Sequence, residues 1–205
     1  MRKKPITEKT IREAERHLSK SDPVMKRLIA EHGPCPIADW EYHPFHTLVT
    51  SIISQQLSAK AADTIEGRVS EMVSVPFQPE ELLSTPVESL RTAGLSRPKA
   101  RYVHELAQRV VDGRLSFSDI ESANDDEVVA ALIESPGIGK WTAEMFLIFG
   151  LKRLDVLSLG DAGLQRAARI LYGKNGDRTD LLENVAGVWR PYRSVGCWYL
   201  WQSLG

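Results

Sequence analysis

Two features of this chain contain residues that could do chemistry. One is an aspartate among glycines, and the other is a glycine-containing turn upstream of it. Asp161 stands in the segment GDAGL, which opens a stretch whose apolar residues recur at helical spacing. Aspartate often caps a helix, because its side-chain oxygen accepts hydrogen bonds from unpaired peptide N–H groups. An ionised carboxylate can also stabilise a nearby cation or take a proton from water. Both roles remain open for Asp161.

The turn PGIG separates two segments with helical spacing of apolar residues. Pro136 is expected to end the first helix. Gly137 and Gly139 are expected to form a tight turn, because they have no Cβ to block a positive φ or the close approach of another backbone. The second helix then begins with unpaired peptide N–H groups at the positive end of its dipole, an anion site that Lys140 and Thr142 could extend. The alternative is an ordinary turn between packed helices.

These residues must be positioned by helices, since apolar spacing predicts an all-α chain of about ten helices. Asp22 is expected to open one helix and Gly33 to close it, while Asn124 and Thr179 are expected to cap two others. Residues 154–159 alone have β character, and that stretch is too short to found a sheet. One clear apolar stripe consists of Phe45, Leu48, Val49, Ile52 and Ile53.

Composition narrows the class of protein. The 205 residues include 42% hydrophobic and 26% charged residues, which is ordinary for a globular chain, and the net charge is −1. Any contact with nucleic acid must therefore be local. No apolar run approaches about 18 residues and no signal region follows the first five residues, so we expect no membrane partner. The expected location is the cytoplasm and nucleoid, or the nucleus if the source is eukaryotic, with the chain acting as a monomer.

Five blocks in one order resemble the helix-hairpin-helix DNA glycosylase superfamily. They lie between about Pro44 and Trp201 and read PFHTLVTSIISQQLSAKAA, GLSRPKARYVHELA, PGIGKWTAEMFLIFG, GDAGLQRAARILYG and WRPYRSVGCWYLW. Within the superfamily they are most similar to the 3-methyladenine DNA glycosylase II (AlkA) type, in a short form without the N-terminal β domain of longer members. The resemblance implies a hairpin that grips a DNA phosphate and an aspartate that faces an extruded nucleotide.

The resemblance also implies a two-lobed helical fold of the HhH-GPD type with a helix-hairpin-helix motif. We expect one glycosylase domain over residues 1–205. Its central lobe, about 44–150, would carry the hairpin at 132–150. An N-terminal segment, 1–43, would pack with a C-terminal lobe of about 151–205.

In such an enzyme Asp161 would be the catalytic residue. Cleavage of an N-glycosidic bond develops positive charge on the sugar, as in other glycoside hydrolyses. A carboxylate about 4 Å away, at an effective dielectric near 20, would stabilise that charge by on the order of 4 kcal/mol, or about a thousandfold in rate. Bifunctional members carry a nucleophilic lysine where this chain has Trp141. Because Lys140 is turned away by about 100°, no Schiff base or lyase activity is expected.

The resemblance places two tryptophans in the pocket for the base. An indole face attracts a positively charged alkylpurine by about 0.5 to 2 kcal/mol more than a neutral base. Trp141 and Trp201 match pocket positions, and the alternative for each is a place in the core. Met145 and Ala162 stand where the AlkA type has tyrosines, so the pocket could be more open.

The remaining expected contacts are with damaged double-stranded DNA. Gln56 matches the residue that fills the gap left by the extruded base, and the alternative is a polar residue facing water. Lys99 is a further expected phosphate contact, beside Gly137, Gly139, Lys140 and Thr142 of the hairpin. No cofactor is expected, although related hairpins hold a structural monovalent cation. No metal site is expected, since the five histidines lack ligand spacing and two cysteines cannot build a four-cysteine iron–sulfur cluster.

The sequence thus predicts a monofunctional DNA glycosylase of base excision repair. After base flipping it would hydrolyse alkylated purines, chiefly 3-methyladenine, with 7-methylguanine as a second candidate, and leave an abasic site. Two alternatives stay open. One is a glycosylase for deaminated or mismatched bases such as hypoxanthine, and the other is a non-catalytic helix-hairpin-helix module that binds damaged DNA.

Overall fold

The computed structural model describes residues 6–173 and 180–205. Within these ranges the secondary structure is helical and contains no strand, which confirms the predicted all-α class. In chain order the α-helices are α1 (Glu8–Ser21), α2 (Pro23–His32), α3 (Pro44–Ser54), α4 (Ala59–Ser70), α5 (Pro79–Ser84), α6 (Val87–Thr92), α7 (Arg97–Val111), α8 (Phe117–Ser122), α9 (Asp125–Ile133), α10 (Lys140–Met145), α11 (Ala162–Tyr172), α12 (Leu181–Ala186) and α13 (Arg193–Gln202). Short 3₁₀ turns lie at Pro36–Ala38 and Gly187–Trp189, and a π-helical turn at Phe146–Gly150 follows α10 directly.

The chain packs into two compact units. One is the segment Tyr42–Leu151, and the other joins the described residues up to Glu41 with the described part of Lys152–Gly205. The first unit therefore contains α3 to α10, and the second contains α1, α2 and α11 to α13. None of the helices within the described ranges combines the length and the apolar character that a bilayer span requires.

The first unit is organised around α3. Its predicted apolar stripe is buried, and α3 packs against α4, α7, α10 and the π-helical turn. The cap predicted at Asn124 is confirmed, because its side chain accepts from the Glu127 N–H while the Glu127 carboxylate accepts from the Asn124 N–H. Helix α9 ends at Ile133, shortly before Pro136, and α10 packs against it across the PGIG turn.

The second unit has its own core, in which Trp189 and Cys197 are fully buried. The predicted cap Asp22 starts α2 by accepting from the peptide N–H groups of the next turn. Its other oxygen accepts from the Trp189 indole at 2.8 Å and from the Tyr172 hydroxyl at 2.8 Å. Gly33 ends α2 with φ of +73°, as predicted.

Helix α8 was not predicted, because its six residues bury little more than Ile120 and give no periodic pattern. The segment Leu154–Leu159 forms turns and no strand. The predicted cap Thr179 lies outside the described residues.

Candidate active site

The PGIG turn is shaped by one of its two glycines. Gly137 has φ of +84°, and a Cβ added there would lie 2.2 Å from the Tyr102 ring. Gly139 instead has φ of −94° and ψ of 175°, and a Cβ there would meet no protein atom within 4 Å. A positive φ is therefore found at Gly137, whereas Gly139 shows neither a positive φ nor a close approach of another part of the chain. The open space at Gly139 leaves room for a group from outside the protein.

The start of α10 keeps the features of an anion site. Gly139 precedes the helix and provides no side-chain cap, so the first peptide N–H groups have no partner from that side chain. The Lys140 side chain is 79% exposed and its ammonium lies 3.8 Å from the Glu144 carboxylate. Thr142 is only 3% exposed, and its predicted DNA contact remains a prediction. A phosphate contact by Thr142 would have to use its peptide N–H and not its hydroxyl.

A glutamine that the sequence did not single out joins the hairpin to the end of α3. The Gln55 amide donates to the Gly137 carbonyl oxygen at 2.8 Å and to the Thr142 hydroxyl oxygen at 3.3 Å. Its sequence position gave no sign of this role, since the partners lie 82 and 87 residues further along the chain. Gln55 therefore fixes the hairpin within its unit.

The neighbouring Gln56 is the exposed member of the pair. It lies in the turn between α3 and α4 with φ of +57°, a left-handed conformation that is uncommon for residues other than glycine. The structure thus presents Gln56 at the surface, where the predicted filling of a gap in DNA is sterically open. That role remains a prediction.

Lys99 reaches the same turn from α7. Its ammonium donates to the carbonyl oxygen of Ile53 at 2.8 Å and to that of Gln55. Burial lowers the pKa of the Lys99 ammonium from its ordinary value. The DNA contact predicted for Lys99 remains a prediction, and the structure gives its ammonium a partner in the protein.

The predicted base-stacking residues of the first unit differ in exposure. Trp141, in the first turn of α10, is 41% exposed, whereas Met145 in the same helix is 6% exposed. The Trp141 indole therefore offers surface to a ligand, and Met145 offers little. Lys140 and Trp141 are adjacent and are the exposed members of α10.

The second unit contains the candidate catalytic carboxylate. Asp161 is the N-cap of α11 and its Oδ1 accepts from the Leu164 N–H at 2.7 Å. The same oxygen accepts from the Trp201 indole N–H at 3.1 Å. Asp161 is 7% exposed, so this carboxylate is largely buried at the helix start. The cap role is confirmed, and the catalytic role remains a prediction.

A second unpredicted residue, Gly163, makes the meeting of Asp161 and Trp201 possible. A Cβ at Gly163 would lie 3.1 Å from Asp161 Oδ1 and 3.4 Å from Trp201 Cδ1. Glycine is unfavourable inside a helix, and its place in the first turn of α11 was the available signal. Ala162, predicted to line the pocket, is exposed beside it.

Helix α13, which carries Trp201, is anchored to the segment leading to Asp161. The Ser194 hydroxyl donates to the Arg153 carbonyl oxygen at 2.6 Å and accepts from the Val156 N–H at 2.9 Å. The Arg193 guanidinium also binds the Asp155 carboxylate at 2.7 Å. These contacts fix the indole and the carboxylate within one unit.

Cysteine and metal chemistry add little. Cys35 and Cys197 are buried and unbridged, and burial raises the pKa of the Cys35 thiol to about 12. Among the described residues, no cluster of three or more histidine, cysteine, aspartate or glutamate side chains is arranged to hold a metal ion.

The helical fold, the hairpin and the capping aspartate define a DNA repair class. The chain belongs to the HhH-GPD superfamily of base excision DNA repair proteins, which it matches over residues 49–191. The superfamily and the two-lobed HhH-GPD fold predicted from the five sequence blocks are thereby confirmed.

Individual relatives show more narrowly where the chain belongs within the superfamily. The chain is 31% identical over 195 residues to the alkylbase DNA glycosidase-like protein mag2 of Schizosaccharomyces pombe, with 92% of each chain covered. It is similar to the crystal structure of a Bacillus halodurans DNA-3-methyladenine glycosidase, with 41% identity, a TM-score of 0.73 and 90% of each chain covered. It is also similar to the S. pombe 3-methyladenine DNA glycosylase in complex with abasic DNA, with 28% identity, a TM-score of 0.79 and coverage of 93% and 96%. The predicted resemblance to the 3-methyladenine type is confirmed.

Proposed function

We propose that this protein is a monofunctional DNA glycosylase of base excision repair that removes alkylated purines, 3-methyladenine and also 7-methylguanine, from double-stranded DNA. The observation that carries the proposal is the Asp161 carboxylate at the start of α11, held by the Trp201 indole in a chain of this superfamily. Solved relatives named for 3-methyladenine, at 41% and 28% identity over at least nine-tenths of this chain, support the substrate class.

The proposed reaction is hydrolysis of the bond between the sugar C1′ and the purine nitrogen. Alkylation gives the purine a positive charge, so it leaves with the bonding electron pair as a neutral base. The positive charge passes to the sugar, where Asp161 stabilises it electrostatically. Water adds to C1′ and loses a proton to the carboxylate or to solvent, which leaves a free base and an abasic site.

Hydrolysis without strand cleavage follows from the residues of α10. An amine nucleophile is required to form a Schiff base with the sugar, and the family's position for it is occupied by Trp141. Lys140 lies one position earlier, with its exposed ammonium 3.8 Å from the Glu144 carboxylate. We assign Lys140 and the open helix start at Gly139 to a DNA phosphate, and Trp141 to stacking on the extruded base.

The remaining roles complete the proposal. We assign Gln56 to the gap left by the extruded base and Trp201 both to the pocket and to holding Asp161. We expect the protein to act as a monomer, without a cofactor, in the compartment that holds the cell's DNA. A monovalent cation at the hairpin would be structural.

A panel of duplex substrates tests the function. The protein is incubated with methylated DNA and with duplexes containing 7-methylguanine, hypoxanthine or a mismatch, and released bases are separated by chromatography. We expect 3-methyladenine to be released fastest, with no protein–DNA adduct trapped by borohydride. Faster release of hypoxanthine would identify the deaminated-base alternative, and tight binding without release of any base would identify a non-catalytic module. A trapped adduct would contradict the monofunctional assignment.

A further inference from the structure

The contact between Lys99 and the end of α3 is unusual for a lysine expected to meet DNA. The ammonium lies 2.8 Å from the Ile53 carbonyl oxygen and also donates to the Gln55 carbonyl oxygen. These groups belong to the last turn of a helix, where carbonyls lack intrahelical partners and the helix dipole is negative. Lys99 therefore supplies, from a helix 46 residues away in the sequence, the charge that this helix end requires.

The residue held in this way also holds the hairpin. While the Gln55 carbonyl accepts from Lys99, the Gln55 side chain donates to the Gly137 carbonyl and to the Thr142 hydroxyl. One residue thus links α7, the end of α3 and the PGIG turn. Rotation of the Gln55 peptide would disturb both contacts.

The next residue shows what this link controls. Gln56 is exposed and has φ of +57°, and a non-glycine residue keeps such a conformation only when its surroundings impose it. On its C-terminal side, Ser58 caps α4 by accepting from the Ala61 N–H. On its N-terminal side, Lys99 and the hairpin fix Gln55. Gln56 is therefore held from both sides.

We propose that Lys99 is a positioning residue, whose ammonium binds the carbonyls of Ile53 and Gln55 and so holds the turn that presents Gln56 to DNA. Lys99 is then not a phosphate contact. The lowered pKa of the Lys99 ammonium agrees with this position, because burial at the end of α3 removes the ammonium from water. The inference rests on the proposed function, in which Gln56 fills the gap in the duplex.

Salt dependence of DNA affinity distinguishes a lysine that binds a phosphate from a lysine that only positions a turn. Loss of one phosphate contact reduces the slope of log Kobs against log salt by about 0.9. Lys99→Met keeps most of the side-chain length and removes the donor, so we expect an unchanged slope and an affinity for undamaged duplex within about twofold. Lys140→Met is the comparison, and there we expect the slope to fall by about 0.9. Arg91→Gln, which removes a half-buried cation paired with Glu88, is the neutral control.

A fluorescent probe beside an abasic site distinguishes an effect on the placement of Gln56 from an effect on base release. A duplex carries a tetrahydrofuran abasic analogue beside 2-aminopurine, whose fluorescence reports unstacking when the gap is filled. We expect Lys99→Met to reduce the fluorescence change at saturating protein at least fivefold and to slow single-turnover release of 3-methyladenine at least tenfold. Because the probe needs no base release, it tests Lys99 even if the proposed activity fails.

The outcomes are distinct. A salt slope reduced by about 0.9, or a 2-aminopurine signal like that of the wild type, would overturn the inference. If Lys99→Met does not fold, as judged by urea denaturation, Lys99→Arg replaces it. A phosphate contact tolerates arginine, whereas the longer planar group cannot occupy the same place between the two carbonyls. A reduced 2-aminopurine signal in Lys99→Arg supports positioning, and an unchanged signal overturns it.

Discussion

Two alanine substitutions in the hairpin, Gly137→Ala and Gly139→Ala, should separate folding from DNA binding. At Gly137 the φ of +84° makes any L side chain unfavourable by about 1–2 kcal/mol. The new Cβ would also lie 2.2 Å from the Tyr102 ring, so the ring must shift, and such overpacking costs about 1–3 kcal/mol more. We therefore expect Gly137→Ala to lower the free energy of unfolding by about 2–5 kcal/mol.

Gly139→Ala should behave in the opposite way. Its φ of −94° suits alanine, and no protein atom lies within 4 Å of the added Cβ. Because alanine restricts the unfolded chain more than glycine does, the free energy of unfolding should stay equal or rise by about 0.4–1 kcal/mol. If a DNA phosphate occupies that open space, the methyl group displaces it. We expect DNA affinity to fall about tenfold, or about 1.4 kcal/mol.

Urea denaturation and fluorescence anisotropy measure the two effects. Each variant is unfolded in urea and then titrated into a labelled duplex that contains a tetrahydrofuran abasic analogue. A Gly139→Ala variant that binds this duplex as tightly as the wild type would refute the anion site at α10. A Gly137→Ala variant as stable as the wild type would refute the described packing against Tyr102.

Three further predictions concern single side chains. Trp201→Phe removes the indole donor to Asp161 and should slow base release about tenfold, because a hydrogen bond to a charged group contributes about 1.5 kcal/mol. Trp198→Phe, on the same helix, is the control and should leave the rate of base release unchanged. Burial lowers the pKa of His46, whose Nδ1 accepts from the Phe77 N–H, so the unfolded chain binds more protons than the folded chain does. The stability that is present above about pH 6.5 should therefore be lost as the pH falls through the folded pKa. Urea titrations at several pH values should show a less steep loss in His46→Gln. With its pKa raised to about 12, the Cys35 thiol should react with iodoacetamide only after denaturation, and rapid reaction in the native state, read by mass spectrometry, would contradict its burial.

Features fixed by neighbouring residues could be predicted from the sequence. The caps Asp22, Asn124 and Asp161 each bind peptide N–H groups two or three residues further on, so the residue type and position sufficed. The apolar stripe of α3 is buried because a helix repeats every 3.6 residues. The superfamily followed from five ordered blocks.

Features fixed by distant partners could not be predicted. Of two adjacent glutamines, Gln55 turns inward to the hairpin 82 residues away and Gln56 turns outward, and no local rule separates them. Lys99 binds the end of a helix 46 residues earlier. Gly163 leaves room for Asp161 Oδ1 beside an indole from α13, and Gly139 differs from Gly137 both in φ and in what surrounds it. In each case tertiary packing decides the role of a residue whose type allows several.

The most direct test of the account is the single-turnover rate of 3-methyladenine release by Asp161→Asn at saturating protein. Asparagine caps helices as well as aspartate does, so α11 and the contact with Trp201 should persist and the variant should fold and bind DNA. Removing the negative charge should slow release by about a thousandfold, the equivalent of about 4 kcal/mol. Release within about threefold of the wild-type rate would show that this carboxylate does not carry the reaction.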